Sequence, residues 1–314
     1  MIARITARSH VFELFFCALL FAGCGGGEQA GTTNGDSPVV GVSVLTMTHP
    51  FFLKLVAALE EEAEAQGIEV VLVTAEFDVA KQKNQISDFI VQGVDAIIMS
   101  PADSKAIGPS VKEANEAGVP VFTADIAVLV DDVEVVGHVG IDNYAGGRQA
   151  GELALSLLEG SGTIAIIDHP EVESVIQRTR GFVEAIEAGI ADGAAVEIVA
   201  TVPGRGSQDQ SFRATEDVLQ AHGQLDVIFG INDETALGAL AAVEKAGREE
   251  VAIIGFGGKE EAIAAVEAGK LYADIITYPD EIGRIAIRNV ATYMAGEPVP
   301  PTQLLSTEAF TQED

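Results

Sequence analysis

The side chains best suited to chemistry stand in short clusters at the ends of apolar runs. Ser100-Pro101-Ala102-Asp103 closes one run and Thr123-Ala124-Asp125 another. Asp168-His169, Asn232-Asp233 and Gly255-Phe256-Gly257-Gly258-Lys259 close three more. Carboxylates so placed could exchange protons, amides and hydroxyls could hold a polar ligand, and a glycine turn before Lys could cradle a phosphate. The catalytic readings each need a spacing that is missing. Gly255–Lys259 lacks the four-residue spacer of a phosphate loop and the Ser or Thr after its Lys. No Gly-x-Gly-x-x-Gly opens a helix after a strand, and neither a Gly-x-Ser-x-Gly elbow nor His-Glu-x-x-His occurs. Five scattered histidines and two cysteines, Cys17 and Cys24, provide no metal-ligand spacing. No catalytic, cofactor or metal framework is indicated, and strand-end carboxylates doing acid–base work are the enzymatic alternative.

The elements that position these clusters can be read from periodicity. Strands are expected over 39–45, 69–74, 96–100 and 119–124, with helices over 52–66, 80–92 and 105–117 between them. The pattern then recurs, with strands over 162–167, 196–201 and 226–230 and helices over 178–187 and 210–221. The strands are almost uniformly apolar, as in parallel sheets covered by helices on both faces. The two halves also align in detail. Gln-Gly-Val-Asp-Ala-Ile-Ile-Met-Ser (92–100) stands opposite His-Gly-Gln-Leu-Asp-Val-Ile-Phe-Gly (222–230). The expected fold class is therefore α/β, two doubly wound parallel-sheet lobes, each able to bind at the carboxyl ends of its strands.

Charge narrows the partners. Forty-eight Asp and Glu against 18 Lys and Arg leave a formal net charge of −30, which repels nucleic acid and anionic membrane surfaces. The first 24 residues have the order of a secretory signal: Arg4 and Arg8, an apolar run over 11–22, then Ala22-Gly23-Cys24. The run is too short to span a membrane. Small residues before Cys24 resemble a bacterial lipobox, with Phe21 where Leu is usual, so Cys24 is the expected lipid attachment point. Residues 25–37 are polar and glycine-rich and read as a flexible tether. Cys17 lies within the signal, so the mature chain would form no internal disulfide.

Several clusters together resemble the ribose-binding-like group of periplasmic binding proteins. They are His49-Pro50-Phe51-Phe52, Ser100-Pro101-Ala102-Asp103-Ser104, Thr123-Ala124-Asp125, Arg178-Thr179-Arg180-Gly181-Phe182, Asn232-Asp233-Glu234-Thr235-Ala236-Leu237-Gly238 and Tyr278-Pro279-Asp280-Glu281-Ile282-Gly283. The resemblance runs from about Val39 onward. It implies three crossovers near Ile141, Thr277 and Ser306, with one lobe from 38–141 and 278–305 and the other from 142–277 and 306–314. Lactose-repressor-like regulators share this core, but an export signal rather than a helix-turn-helix precedes Pro38.

The resemblance also implies roles. His49, Phe51, Phe52, Ser100, Asp125, Arg180, Asn232 and Thr277 would contact ligand. One of Phe51 and Phe52 would stack on a sugar ring, Arg180 would donate, and Asp233 would serve its helix while Asn232 faces ligand. His49 stands where Asn is common, Ile126 where Arg is, Gly257 where Asp is, and Thr277 where Gln or Asn is. The loop Gly204–Ser207 lacks an aromatic ring; either the ligand's hydroxyl pattern differs from that of ribose, or waters and Arg205 substitute for the missing partners. These changes point to a neutral monosaccharide or polyol other than ribose in its usual mode, with an anionic sugar acid as the counter-reading. The implied protein is exported to the periplasm or cell surface, lipid-anchored and monomeric, and delivers its ligand to an ABC permease. A sensor that docks on a receptor kinase or chemoreceptor is the alternative.

Overall fold

The computed structural model describes residues 37–313. The signal, Cys24 and nearly all of the tether lie outside the described residues. No described helix is long and apolar enough to cross a membrane.

The first lobe opens with β1 (Val39–Val44), α1 (Pro50–Gln66), β2 (Glu69–Thr74), α2 (Val79–Gln92) and β3 (Ala96–Met99). It continues through α3 (Gly108–Glu116), β4 (Val121–Ala124) and β5 (Gly137–Ile141). The second lobe takes α4 (Asn143–Leu158), β6 (Ser161–Asp168), α5 (Glu173–Ala191), β7 (Ala195–Pro203) and α6 (Gln208–Ala221). After these come β8 (Val227–Gly230), α7 (Asp233–Ala246), β9 (Ala252–Gly257), α8 (Glu260–Glu267) and β10 (Ala273–Ile276). The chain then returns to the first lobe with α9 (Pro279–Met294) and β11 (Thr302–Leu305), and ends in the second with β12 (Glu308–Thr311).

Among the described residues the sheets have the orders β11-β5-β4-β3-β1-β2 and β12-β10-β9-β8-β6-β7. Every pairing is parallel except β10 with β12. Three connections pass between sheets, after Ile141, after Ile276 and between Leu305 and Glu308. Each sheet reverses its strand order beside its first strand, β1 or β6. The crevice outside the carboxyl ends at such a point is where an open α/β sheet binds ligands.

Alternation along β3 shows how the sheets are held. Ile97 and Met99 pack with Ile86 and Phe89 under α2, whereas Ile98 faces Leu55 and Leu59 of α1 and Ile282 of α9. In the second lobe Phe182 of α5 stacks on Phe229 of β8, ring centroids 4.3 Å apart. Helices α4 and α5 cross where Gly147 and Gly181 remove both side chains. A Cβ on Gly147 would lie 2.0 Å from the Arg178 carbonyl oxygen, and one on Gly181 2.1 Å from that of Tyr144. This contact fixes the depth of Arg178. At the strand ends of the first lobe, buried Gln82 donates to the Ser100 carbonyl and accepts from the Ala102 N–H.

Candidate functional site

The strand ends of the two lobes face each other across a cleft with about 850 Å³ of empty space, its open mouth included. From the first lobe come His49, Phe51, Phe77, Asp125 and Ile126; from the second come His169, Arg178, Asn232, Asp233 and Phe256, with Thr277 at a crossover.

His49 caps α1. Its Nδ1 accepts the Phe51 N–H at 3.2 Å, and burial lowers the ring's proton affinity, which keeps it neutral at pH 7 with its proton on Nε2. Across the cleft, Asn232 caps α7 by accepting the Thr235 N–H at Oδ1, which turns its amide nitrogen outward. Nε2 of His49 and Nδ2 of Asn232 stand 3.4 Å apart. Both are donors, so neither satisfies the other; Nδ2 also donates to the Gly206 carbonyl at 3.4 Å, which leaves its second N–H and the His49 Nε2–H at the cleft wall.

Asp125 directly follows β4 with φ +67, an uncommon conformation for a side-chain-bearing residue. Burial raises its carboxyl to about 7, against the pull of the Arg178 guanidinium. Arg178 is 8% exposed and lies over the Phe256 ring, 3.6 Å from its centroid. It donates from Nε and Nη2 to Oδ1 of Asn143, at 3.2 and 2.6 Å, and from Nη1 to the Ile231 carbonyl. These bonds use only part of its five-donor fork. Phe51 is half-buried at the cleft, whereas Phe52 is 4% exposed and belongs to the core, with its edge at the cleft wall. The ring centroids of the pair are 5.3 Å apart. Thr277 uses its hydroxyl proton on the Gly257 carbonyl at 2.7 Å.

Four sequence expectations need correction. Arg180 is outside the cleft: its side chain is 56% exposed, pairs with Glu184 at 2.9 Å and covers the Tyr144 ring. The reason is helical phase, because two residues along α5 is a turn of about 200°. The buried stripe of α5 is Ser174, Val175, Arg178, Gly181, Phe182, Ala185 and Ile186, so the arginine one turn before Phe182 faces inward. That spacing was the available signal. Ser100 sits behind the cleft wall, its hydroxyl donating to the Ala124 carbonyl at 2.8 Å. Asp233 does not serve its own helix; its Oδ2 accepts the Lys259 N–H at 2.8 Å. From the loop 204–207 it is Gly206, not Arg205, that lines the cleft.

Phe77 and His169 were not among the expected ligand contacts. Their rings stand 6.3 Å apart, one from each lobe, with Phe77 at φ +61 and 45% exposed. Phe77 follows β2 without any motif, and only its place just past a strand end marks it. Lys259 also borders the cleft, but its ammonium pairs with Glu234 at 2.8 Å and with Glu261. The available groups thus alternate acceptors with donors beside aromatic faces. Among the described residues no cluster of three or more His, Cys, Asp and Glu side chains is arranged to hold a metal.

Comparison with known proteins agrees with this geometry. The chain is 33% identical over 275 residues to the ribose import binding protein of Bacillus subtilis, covering 87% of each. It is 32% identical over 248 residues to a xylitol-binding protein of Mycolicibacterium smegmatis, covering 78% of this chain and 68% of that one. The crystal structure of the Caulobacter myo-inositol-binding protein with myo-inositol bound has a TM-score of 0.84 at 30% identity, over 89% of this chain and 95% of that one. The family described as a periplasmic binding protein domain matches residues 40–298. With two doubly wound lobes, three crossovers and a polar cleft between facing strand ends, the chain belongs to the periplasmic binding protein family.

Proposed function

We propose that this protein captures a neutral monosaccharide or polyol between its lobes and delivers it to an ABC-type importer. The observation that carries the reading is the pairing of donors and acceptors across the cleft. His49 Nε2, Asn232 Nδ2 and Arg178 donate, Asp125 accepts, and Phe51 offers an apolar face. Each ligand hydroxyl both donates and accepts, and a buried one left unpaired costs about 1–3 kcal/mol. The charges in the cleft support a neutral ligand, since Arg178 faces Asp125 and Lys259 is held by two glutamates. The relatives, which by name bind ribose and xylitol, and the structure with myo-inositol bound fit the same class. The cleft groups bind and orient; the function needs no bond-making step.

A thermal-shift panel of ribose, xylitol, myo-inositol, aldonates and uronates tests this. A ligand at a hundredfold excess over its Kd stabilises the folded state by about 2.7 kcal/mol. Neutral compounds should raise the melting temperature by several degrees. A response to the acids alone would reject the reading. Export and a lipid on Cys24 complete the proposal, with the protein a tethered monomer. Cys24→Ser should move it from the membrane fraction to the soluble exported fraction, and unchanged membrane association would reject the anchor.

A further inference from the structure

Gly257 removes a side chain from the cleft wall, but the space is not vacant. A Cβ on Gly257 would lie 2.2 Å from Oδ2 of Asp233, so the Asp233 carboxyl occupies the position where a side chain of residue 257 would begin. Gly257, at φ +152, then turns the chain so that the Lys259 N–H meets that same Oδ2 at 2.8 Å. Behind it, on β10, Asp274 is fully buried and its Oδ1 accepts the Gly258 N–H at 2.9 Å. Gly255, its neighbour on β9, leaves room for it, since a Cβ there would sit 2.4 Å from Oδ2. One oxygen of each acid, Oδ1 of Asp233 and Oδ2 of Asp274, is buried without a hydrogen-bond partner among the described residues. The N–H groups of two consecutive residues, Gly258 and Lys259, hold Asp274 and Asp233 respectively, which sets the two carboxyl groups side by side at one turn. Two anions cannot share that contact, and a single proton between them satisfies both orphaned oxygens.

We propose that Asp233 and Asp274 form a one-proton carboxyl pair that fills the place of the side chain missing at Gly257 and presents a carboxylate of Asp233 to a ligand hydroxyl. The pair rests on the reading of the cleft as a site for a sugar or polyol. Asp233 lines the cleft and Asp274 does not, so Asp274 is the positioning residue and holds the proton. The surroundings agree. Burial raises both acids, Asp274 well above its ordinary range. Of the cations and imidazoles facing Asp233, Lys259 is paired with Glu234 and Glu261, and His49 is kept neutral by burial. Arg178 remains, shared with Asp125 and Asp168, which is too little positive charge to ionise both members of the pair. The second lobe therefore keeps an acidic contact despite Gly257, which disfavours an anionic sugar acid.

The test titrates ribose, xylitol and myo-inositol calorimetrically into the wild type, Asp233→Asn, Asp274→Ala and Asp274→Asn from pH 5.5 to 9. Asp233→Asn should weaken binding at least thirtyfold. Asp274→Ala should weaken it tenfold or more by leaving Asp233 with an unpaired buried oxygen. Asp274→Asn donates from a fixed amide, so it should recover part of that loss. Its affinity should also lack the alkaline fall, up to about tenfold per pH unit, that the wild type shows once the shared proton is lost. Asp125 titrates in both proteins, so the difference between the two profiles isolates the pair. At pH 8, where Asp125 is largely ionised, infrared spectra should show a buried protonated carboxyl in the wild type that is absent from Asp274→Asn. Identical pH profiles, or an unchanged carboxyl band, would overturn the proposal. If the wild type binds none of the three compounds, the proposed function fails, while the infrared band still decides the pair.

Discussion

Asp125 and Arg178 face each other in the cleft, and each is costly to the folded chain without ligand. The Asp125 carboxyl is raised from 3.8 to about 7, chiefly by burial. An unfolded chain releases this proton from about pH 4 upward, whereas the folded chain keeps it until about pH 7. Stability therefore falls across that window and levels off above it, by on the order of 3–4 kcal/mol for a shift of about three pH units. Asp125→Asn should remove this decline, raise the melting temperature of the ligand-free protein at pH 7.5, and weaken binding about ten- to a hundredfold through loss of a charged acceptor. Denaturant titrations of both proteins at pH 4.5 and 7.5 check the first part, and parallel declines would refute it. For the arginines, Arg178→Ala should cost roughly thirty- to a thousandfold in affinity, whereas Arg180→Ala should change it less than about twofold. Calorimetric titration of the two variants decides the assignment, and equal effects would reject it. The motif containing both arginines was legible in the sequence, but choosing between them required the phase of α5. That helix begins five residues before its periodicity becomes plain, because Glu173 to Gln177 mix polar and apolar residues.

At the scale of elements, Gly147 and Gly181 show how packing reaches the cleft. Glycine in a helix normally costs about 0.5–1 kcal/mol relative to alanine, so replacing it should stabilise. Here the sign reverses, since either Cβ would fall about 2 Å from a carbonyl oxygen of the facing helix. Gly181→Ala should destabilise by about 1–3 kcal/mol, the usual cost of overpacking, and weaken binding by displacing Arg178. Urea unfolding together with ligand titration checks both effects, and a stabilised variant of normal affinity would refute the argument. The same crossing explains which elements the sequence conceals. β1 to β4 and β6 to β9 are legible as apolar runs between amphipathic helices. α4 contains Asn143, Gly146, Gly147 and Gly151, which read as loop residues; Gly147 and Gly151 are buried because α5 lies so close, and Gly146 because it packs on Phe256. β5 is Gly-His-Val-Gly-Ile, too short of apolar residues to register as a strand, and β11 and β12 carry half-exposed polar residues at the sheet edges.

Capture of a ligand between the lobes, as proposed, implies a closing equilibrium, and one contact between lobes outside the cleft bears on it. Helix α5 of the second lobe begins at Glu173, and Val172 before it offers no side-chain cap. Its cap comes from the other lobe: Ser104, 1% exposed, accepts the Glu173 N–H at Oγ at 2.9 Å, and its own N–H donates to the Glu171 carbonyl at 3.3 Å. A hydroxyl that satisfies a helix N-terminus is worth about 1 kcal/mol. When the lobes separate, this bond is exchanged for water, so Ser104 favours the closed state whatever ligand is bound. A ligand shifts the equilibrium only by its preference for the closed form, and a contact present only in that form adds to every ligand alike. Ser104→Ala should therefore weaken all ligands by one common factor, roughly fivefold for about 1 kcal/mol, with the change mainly in the dissociation rate. Substitutions at Asp125 or Asn232 should instead alter the ratios between ligands, because each meets a particular hydroxyl. Stopped-flow dissociation of two unrelated ligands from the wild type and Ser104→Ala separates these cases. Unequal factors for the two would show that Ser104 reaches the ligand, and unchanged rates would show that its bond to Glu173 has no part in closure.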